Sequence, residues 1–123
     1  MKPMNVVISQ QDQRQTQALA ASLRDHFKMV AEARSFDELR RTIARNRADA
    51  VVLDLETATL LEVDELRREY PQLTIVCTHR LADEYMWTAA LAVGAQDCCH
   101  PSDVRGIVHA ASHTVVMART TAA

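Results

Sequence analysis

Aromatic residues make up only 4 % of this 123-residue chain, glycine occurs twice and proline three times. With so few rings, a core has to be built from Ala, Val, Leu, Ile and Met, and the 48 % hydrophobic share supplies them. Two glycines, Gly94 and Gly106, are too few for a glycine-rich phosphate loop, which argues against a nucleotide- or flavin-binding protein. Lys and Arg number 14 against 16 Asp and Glu, so no cationic excess advertises nucleic acid. No apolar run reaches the length of a membrane span, and the opening MKPMNVVISQQDQ turns polar too soon for a signal peptide. Three cysteines, two of them adjacent at Cys98 and Cys99, do not make a disulfide framework; the expectation is a cytoplasmic chain with reduced thiols.

What is present is an alternation of short apolar runs with longer segments of helical period. Met4 to Ser9, Met29 to Ala33, Ala50 to Leu55, Leu73 to Cys77 and Gln96 to Cys99 are rich in apolar and β-branched residues and predict strands. Between them, Leu19, Leu23 and Phe27 share one face of a helix predicted over 16–27. Ser35 with Glu38 reads as a capping box opening a helix with Phe36, Leu39 and Ile43 inward. A third helix carries Leu61 and Leu66 and must stop before Pro71. A fourth spans 82–93 and ends at Gly94, and a fifth, capped by Ser102 or Asp103, carries Val104, Ile107, Val108, Ala111 and Val115. One domain is expected over 1–118, with a frayed tail from Arg119 to Ala123. Five β-α units with right-handed crossovers predict an α/β, doubly wound, five-stranded parallel sheet with helices on both faces. Sites on such sheets lie at the carboxyl ends of the strands. Those ends hold Gln10, Gln11, Asp12, Asp54, Thr78, His79 and His100.

The segments ADAVVLDLE, YPQLTIVCTH and AALAVGAQDCCHPSDV together resemble the receiver domain of two-component response regulators, a flavodoxin-like module, over nearly the whole chain. The resemblance implies Asp54 as phosphoacceptor, an acidic pair after the first strand that holds Mg²⁺ with it, a Ser or Thr switch residue, and a Lys before a Pro. Here the acidic pair falls on Gln10 and Gln11, with Asp12 one residue late. The switch position falls on His79, or on Thr78 after a one-residue slip. The lysine position falls on Pro101 or His100. Of the five parts, Asp54 alone survives clearly, which is similar to a pseudo-receiver. The expected role is a non-enzymatic signalling module that binds protein partners or a sensor kinase, with no cofactor, and with Mg²⁺ only if the pocket still works. The family also implies a homodimer through the last two helices and, where an output domain follows, transcription regulation.

Other features carry weaker signals. Cys77, His79, Cys98, Cys99 and His100 lie near neighbouring strand ends, where a metal or redox site can be imagined, yet their spacing follows no ligand pattern. Cys98 and Cys99 must also point to opposite faces of their strand, and the ordinary reading is core. Trp87 and Leu91 form a second stripe on the fourth helix, beside the inward face of Met86, Ala89, Ala90 and Val93. Exposed there, Trp87 is a partner anchor; folded back, it is the edge of the core. Arg40, Arg41, Arg45 and Arg47 surround a helix end, where cations suit the dipole.

Overall fold

Successive side chains along a strand point to opposite faces, and this alternation decides which helix covers which side of the sheet. The computed structural model describes residues 4–112. It contains β1 (Asn5–Ser9), α1 (Gln13–Leu23), β2 (Met29–Glu32), α2 (Phe36–Asn46), β3 (Ala50–Asp54), α3 (Leu60–Glu69), β4 (Thr74–Thr78), α4 (Glu84–Ala92), β5 (Asp97–Cys99) and α5 (Val104–Ser112). The expectations for Val115 and for the tail from Arg119 lie outside the described residues. The strands form one parallel sheet in the order β2-β1-β3-β4-β5. This is the flavodoxin-like doubly wound arrangement.

Val6, Ile8, Val52, Val76 and Cys99 face Leu19, Ala20 and Leu23 of α1 and Ile107, Ala110 and Ala111 of α5. Val7, Val51, Leu53, Ile75, Cys77 and Cys98 face Leu39 and Ile43 of α2, Val63 and Leu66 of α3, and Ala90 of α4. The two adjacent cysteines therefore do part to opposite faces, one in each half of the core. Each fully buried Val, Leu or Ile contributes about 1.5–3 kcal/mol.

Several boundaries differ from those expected. Helix α1 begins at Gln13 because the Asp12 carboxylate accepts from the Gln15 backbone N–H at 2.8 Å and caps the helix three residues earlier than the apolar face suggests. It ends at Leu23; Phe27 is buried beyond the helix end. Ser35 caps α2 as predicted, but the Glu38 carboxylate turns back to the N–H of Arg34. The reciprocal capping box is instead at α3, between Thr59 and Glu62. On α3, Leu66 and Val63 are buried against the sheet, while Leu61 is 69 % exposed. Asp103 rather than Ser102 meets the first turn of α5, accepting from the Gly106 N–H at 3.1 Å.

Candidate functional site

The register of the sheet brings three polar residues together at its carboxyl edge. Asp54, at the end of β3, pairs with Thr78, at the end of β4, while Ser9 on β1 pairs with Leu53 and leaves Gln10 alongside. All three are buried: Asp54 is 2 % exposed, Gln10 5 % and Thr78 not at all. Thr78 Oγ1 lies 3.2 Å from Gln10 Oε1 and 3.5 Å from Asp54 Oδ1. The hydroxyl has one proton, so at most it divides it between the amide and the carboxylate. Asp54 Oδ2 is buried and accepts no hydrogen bond. Burial raises the Asp54 carboxyl above its ordinary range. The charge of Glu56 adds to that rise, while the Glu56 backbone N–H, the His79 ring and the Thr78 hydroxyl oppose it.

Of the two residues open for the switch position, Thr78 is therefore the one against Asp54. His79 points elsewhere: its Nδ1 accepts from the Leu81 N–H at 2.9 Å. Of the residues expected in the acidic pocket, Gln10 and Gln11 line the cleft beside Asp54, whereas Asp12 does not line it and caps α1. Gln10 is tied down by its neighbours, its side-chain Nε2 donating to Ser9 O at 3.1 Å and its backbone N–H to Thr16 Oγ1 at 2.9 Å.

A receiver-type Mg²⁺ ion needs several hard, mostly anionic oxygens. Here Gln10 and Gln11, which line the cleft with Asp54, are neutral amides, and the other carboxylate of the cleft, Glu56, is already paired with Arg80. That donor set does not fit the ion.

His100 and Pro101, the two residues open for the lysine position, both line the cleft, and neither is a lysine. The His100 Nδ1 accepts from the Ser102 N–H at 3.1 Å. The cation in this region comes from a residue that sequence reasoning missed. Arg80, just after β4, reaches back to Glu56, just after β3; its Nη2 is 2.6 Å from Oε1, and its Nε lies 2.9 and 3.0 Å from the two oxygens. Its backbone N–H also donates to Oε2 at 3.1 Å. Arg80 holds the Glu56 carboxyl down at about 2. No local pattern marks this pair, because it joins two loops 24 residues apart.

Together Gln10, Gln11, Gln15, Asp54, Arg80, His100 and Ser102, with apolar walls from Ala18, Leu19, Pro101 and Val104, enclose a cleft of about 460 Å³. The remaining expected features lie away from it. Trp87 is 44 % exposed on α4, and its Nε1 donates to Asp97 Oδ1 at 2.9 Å, fastening the helix to β5. Leu91 beside it is half-buried, and Tyr85 on the same helix is exposed. Among the described residues, no three His, Cys, Asp or Glu side chains converge as a metal site. Burial pushes the thiols up, Cys98 to about 11, Cys99 to about 12 and Cys77 further. Arg40 of the basic stretch pairs with Glu69 at 2.9 Å on the surface.

The sequence matches no protein-family model and no curated protein. Solved structures do match its fold. The isolated receiver domain of RcsB from Salmonella enterica serovar Typhimurium, with the phosphomimetic beryllofluoride, is 17 % identical with a TM-score of 0.75 over 88 % of this chain and 87 % of that one. The chemotaxis response regulator CheY4 of Vibrio cholerae is 16 % identical with a TM-score of 0.73, covering 88 % and 98 % of the two chains. The receiver domain of the Francisella response regulator 1452 is 16 % identical with a TM-score of 0.76, covering 95 % and 98 %. The chain has the fold of the response-regulator receiver domain. Among the described residues no helix is long and apolar enough to cross a membrane.

Proposed function

We propose that this chain is a pseudo-receiver: a non-enzymatic response-regulator module that signals through protein contacts after losing its phosphoryl-transfer chemistry. The observation that carries the reading is the company of Asp54. Phosphoryl transfer rests on positioning and on cations that offset the charge of the transferred group. Around Asp54 stand Gln10 and Gln11 in place of acids, and His100 in place of lysine, while Arg80 is held by Glu56. The module works in the cytoplasm without a cofactor, and nucleic acid is contacted, if at all, by an output domain of a longer protein rather than by this one.

Its partner is a sensor kinase or another signalling protein, or a second copy met through the last two helices. Trp87 supports a contact face on α4, since a half-open indole is the kind of side chain that anchors interfaces. Nuclear magnetic resonance of labelled protein with Mg²⁺ and beryllofluoride tests the reading. Unchanged amide positions at 54–58 and 78–84 support it, and a saturable shift of both loops overturns it.

A second reading is a phosphorylatable receiver, favoured by one observation, the Thr78 hydroxyl facing Asp54 at 3.5 Å. A metal- or redox-sensing module finds less support, because the thiols are buried and raised.

A further inference from the structure

The cleft over Asp54 combines an unanswered charge with apolar walls. A cavity of about 460 Å³ falls within the usual size of small-molecule sites, which are mostly apolar with a few fixed polar groups. Asp54 Oδ2, at 2 % residue exposure, is a buried acceptor with no donor, and leaving such an atom unpaired is costly. Of the charged groups lining the cleft, Glu56 and Arg80 pair with each other, and Asp54 Oδ2 is left without an ion-pair or hydrogen-bond partner among the described residues. His100 is engaged through Nδ1 with the Ser102 N–H.

We propose that this cleft binds a small primary amine, its ammonium head on Asp54 Oδ2 and its apolar body along Ala18, Leu19, Pro101 and Val104. The inference rests on the reading of Asp54 as an unmodified carboxylate. An ammonium suits the site better than the alternatives. A divalent metal finds too few anionic oxygens. A guanidinium seeks two carboxylate oxygens side by side, and only one is free. A quaternary amine has no proton for Oδ2. An ammonium has three donors, and the Gln11 and Gln15 amides at the rim supply neutral acceptors for the others.

Benzylamine is the probe, with benzyl alcohol as its neutral counterpart of nearly the same shape. Titrated into ¹⁵N-labelled protein, benzylamine is expected to shift amides around Gln10, Gln15 and Ser102 saturably. Benzyl alcohol should bind at least about tenfold more weakly, the scale of losing one charge-assisted hydrogen bond. Asp54→Asn should erase the preference for the amine. Ala18→Phe, on an exposed helix position, should block both ligands while keeping a folded spectrum. Absence of saturable shifts in the cleft, or equal binding of amine and alcohol, overturns the assignment. Exposure of the same preparation to acetyl phosphate and Mg²⁺ separates the two ideas. Labelling at Asp54 overturns the pseudo-receiver reading and this inference with it. An unlabelled protein that ignores benzylamine overturns the ligand class alone.

Discussion

Thr78 Oγ1 faces Asp54 Oδ1 at 3.5 Å, from neighbouring strand ends paired in register, yet it lies closer to Gln10 Oε1 at 3.2 Å. The amide competes for the hydroxyl proton, and Oδ2 has no hydrogen-bond partner. Asp54 therefore destabilises the fold when ionised. Its raised pKa means that, as pH rises from the ordinary carboxylate range to the folded value, the unfolded chain loses its proton first and stability falls. Asp54→Asn should stabilise the protein at neutral pH by about 1 kcal/mol, the scale of relieving an unpaired buried group. That gain should vanish in acid below the ordinary carboxylate range, where both states carry the proton. Urea unfolding of both proteins across pH measures it; an equal or lower stability of Asp54→Asn at neutral pH contradicts the account.

The Glu56–Arg80 pair shifts in the opposite sense. A carboxyl lowered from 4.5 to about 2 adds stability above the ordinary value and loses it as pH falls through that window. Carbon-detected titration of Glu56 should give a midpoint near 2, returning to the ordinary range in Arg80→Ala. A midpoint unmoved by the substitution would show that the pair does not form in solution.

Gly94 closes α4 at a φ of +107°, and a Cβ there would stand 2.8 Å from Arg67 Cγ. The Arg67 guanidinium donates to the Gly94 carbonyl through Nε at 3.2 Å and Nη2 at 2.8 Å, and to Pro71 O through Nη1 at 2.9 Å. Gly94→Ala should cost about 1–3 kcal/mol in chemical denaturation. Adding Arg67→Ala should remove the contacts with Cγ and Nε, though not the one at 3.1 Å with Cβ, and leaves the backbone cost, so the double variant stays less stable than wild type.

The legibility of the fold follows from burial. The β3 run AVVLD is buried at every position, so a central strand could be read from it directly. Element order came from the same contrast between short apolar runs and helical periods. The start of α1 was less legible, because its first turn carries no apolar face and only the Asp12 cap announces it. On α3 the sequence names Leu61 and Leu66 alike, and only the packing shows that Leu66 is buried and Leu61 exposed. At the site, Asp54 stood out as the acid ending a buried strand, but Thr78 and His79 are one residue apart and only strand register separates them. The Glu56–Arg80 pair depends on two loops meeting in space, and nothing local encodes that.

The three thiols should be slow to react in the native state. Burial holds Cys98 at about 11 and Cys99 at about 12, with Cys77 higher, so little thiolate exists at neutral pH. Alkylation by iodoacetamide should modify all three only after unfolding. Rapid native labelling of Cys98 or Cys99 would contradict the buried placement of β5.

The most direct measurement of the central claim is intact mass after incubation with acetyl phosphate and Mg²⁺, on wild type and on Asp54→Asn. The account predicts no phosphoryl adduct on either protein, because the proposed reading has neutral Gln10 and Gln11 beside Asp54 and no lysine in the cleft. A single phosphoryl adduct on wild type that is absent from Asp54→Asn would contradict it, and would make Asp54 and Thr78 the core of a working switch.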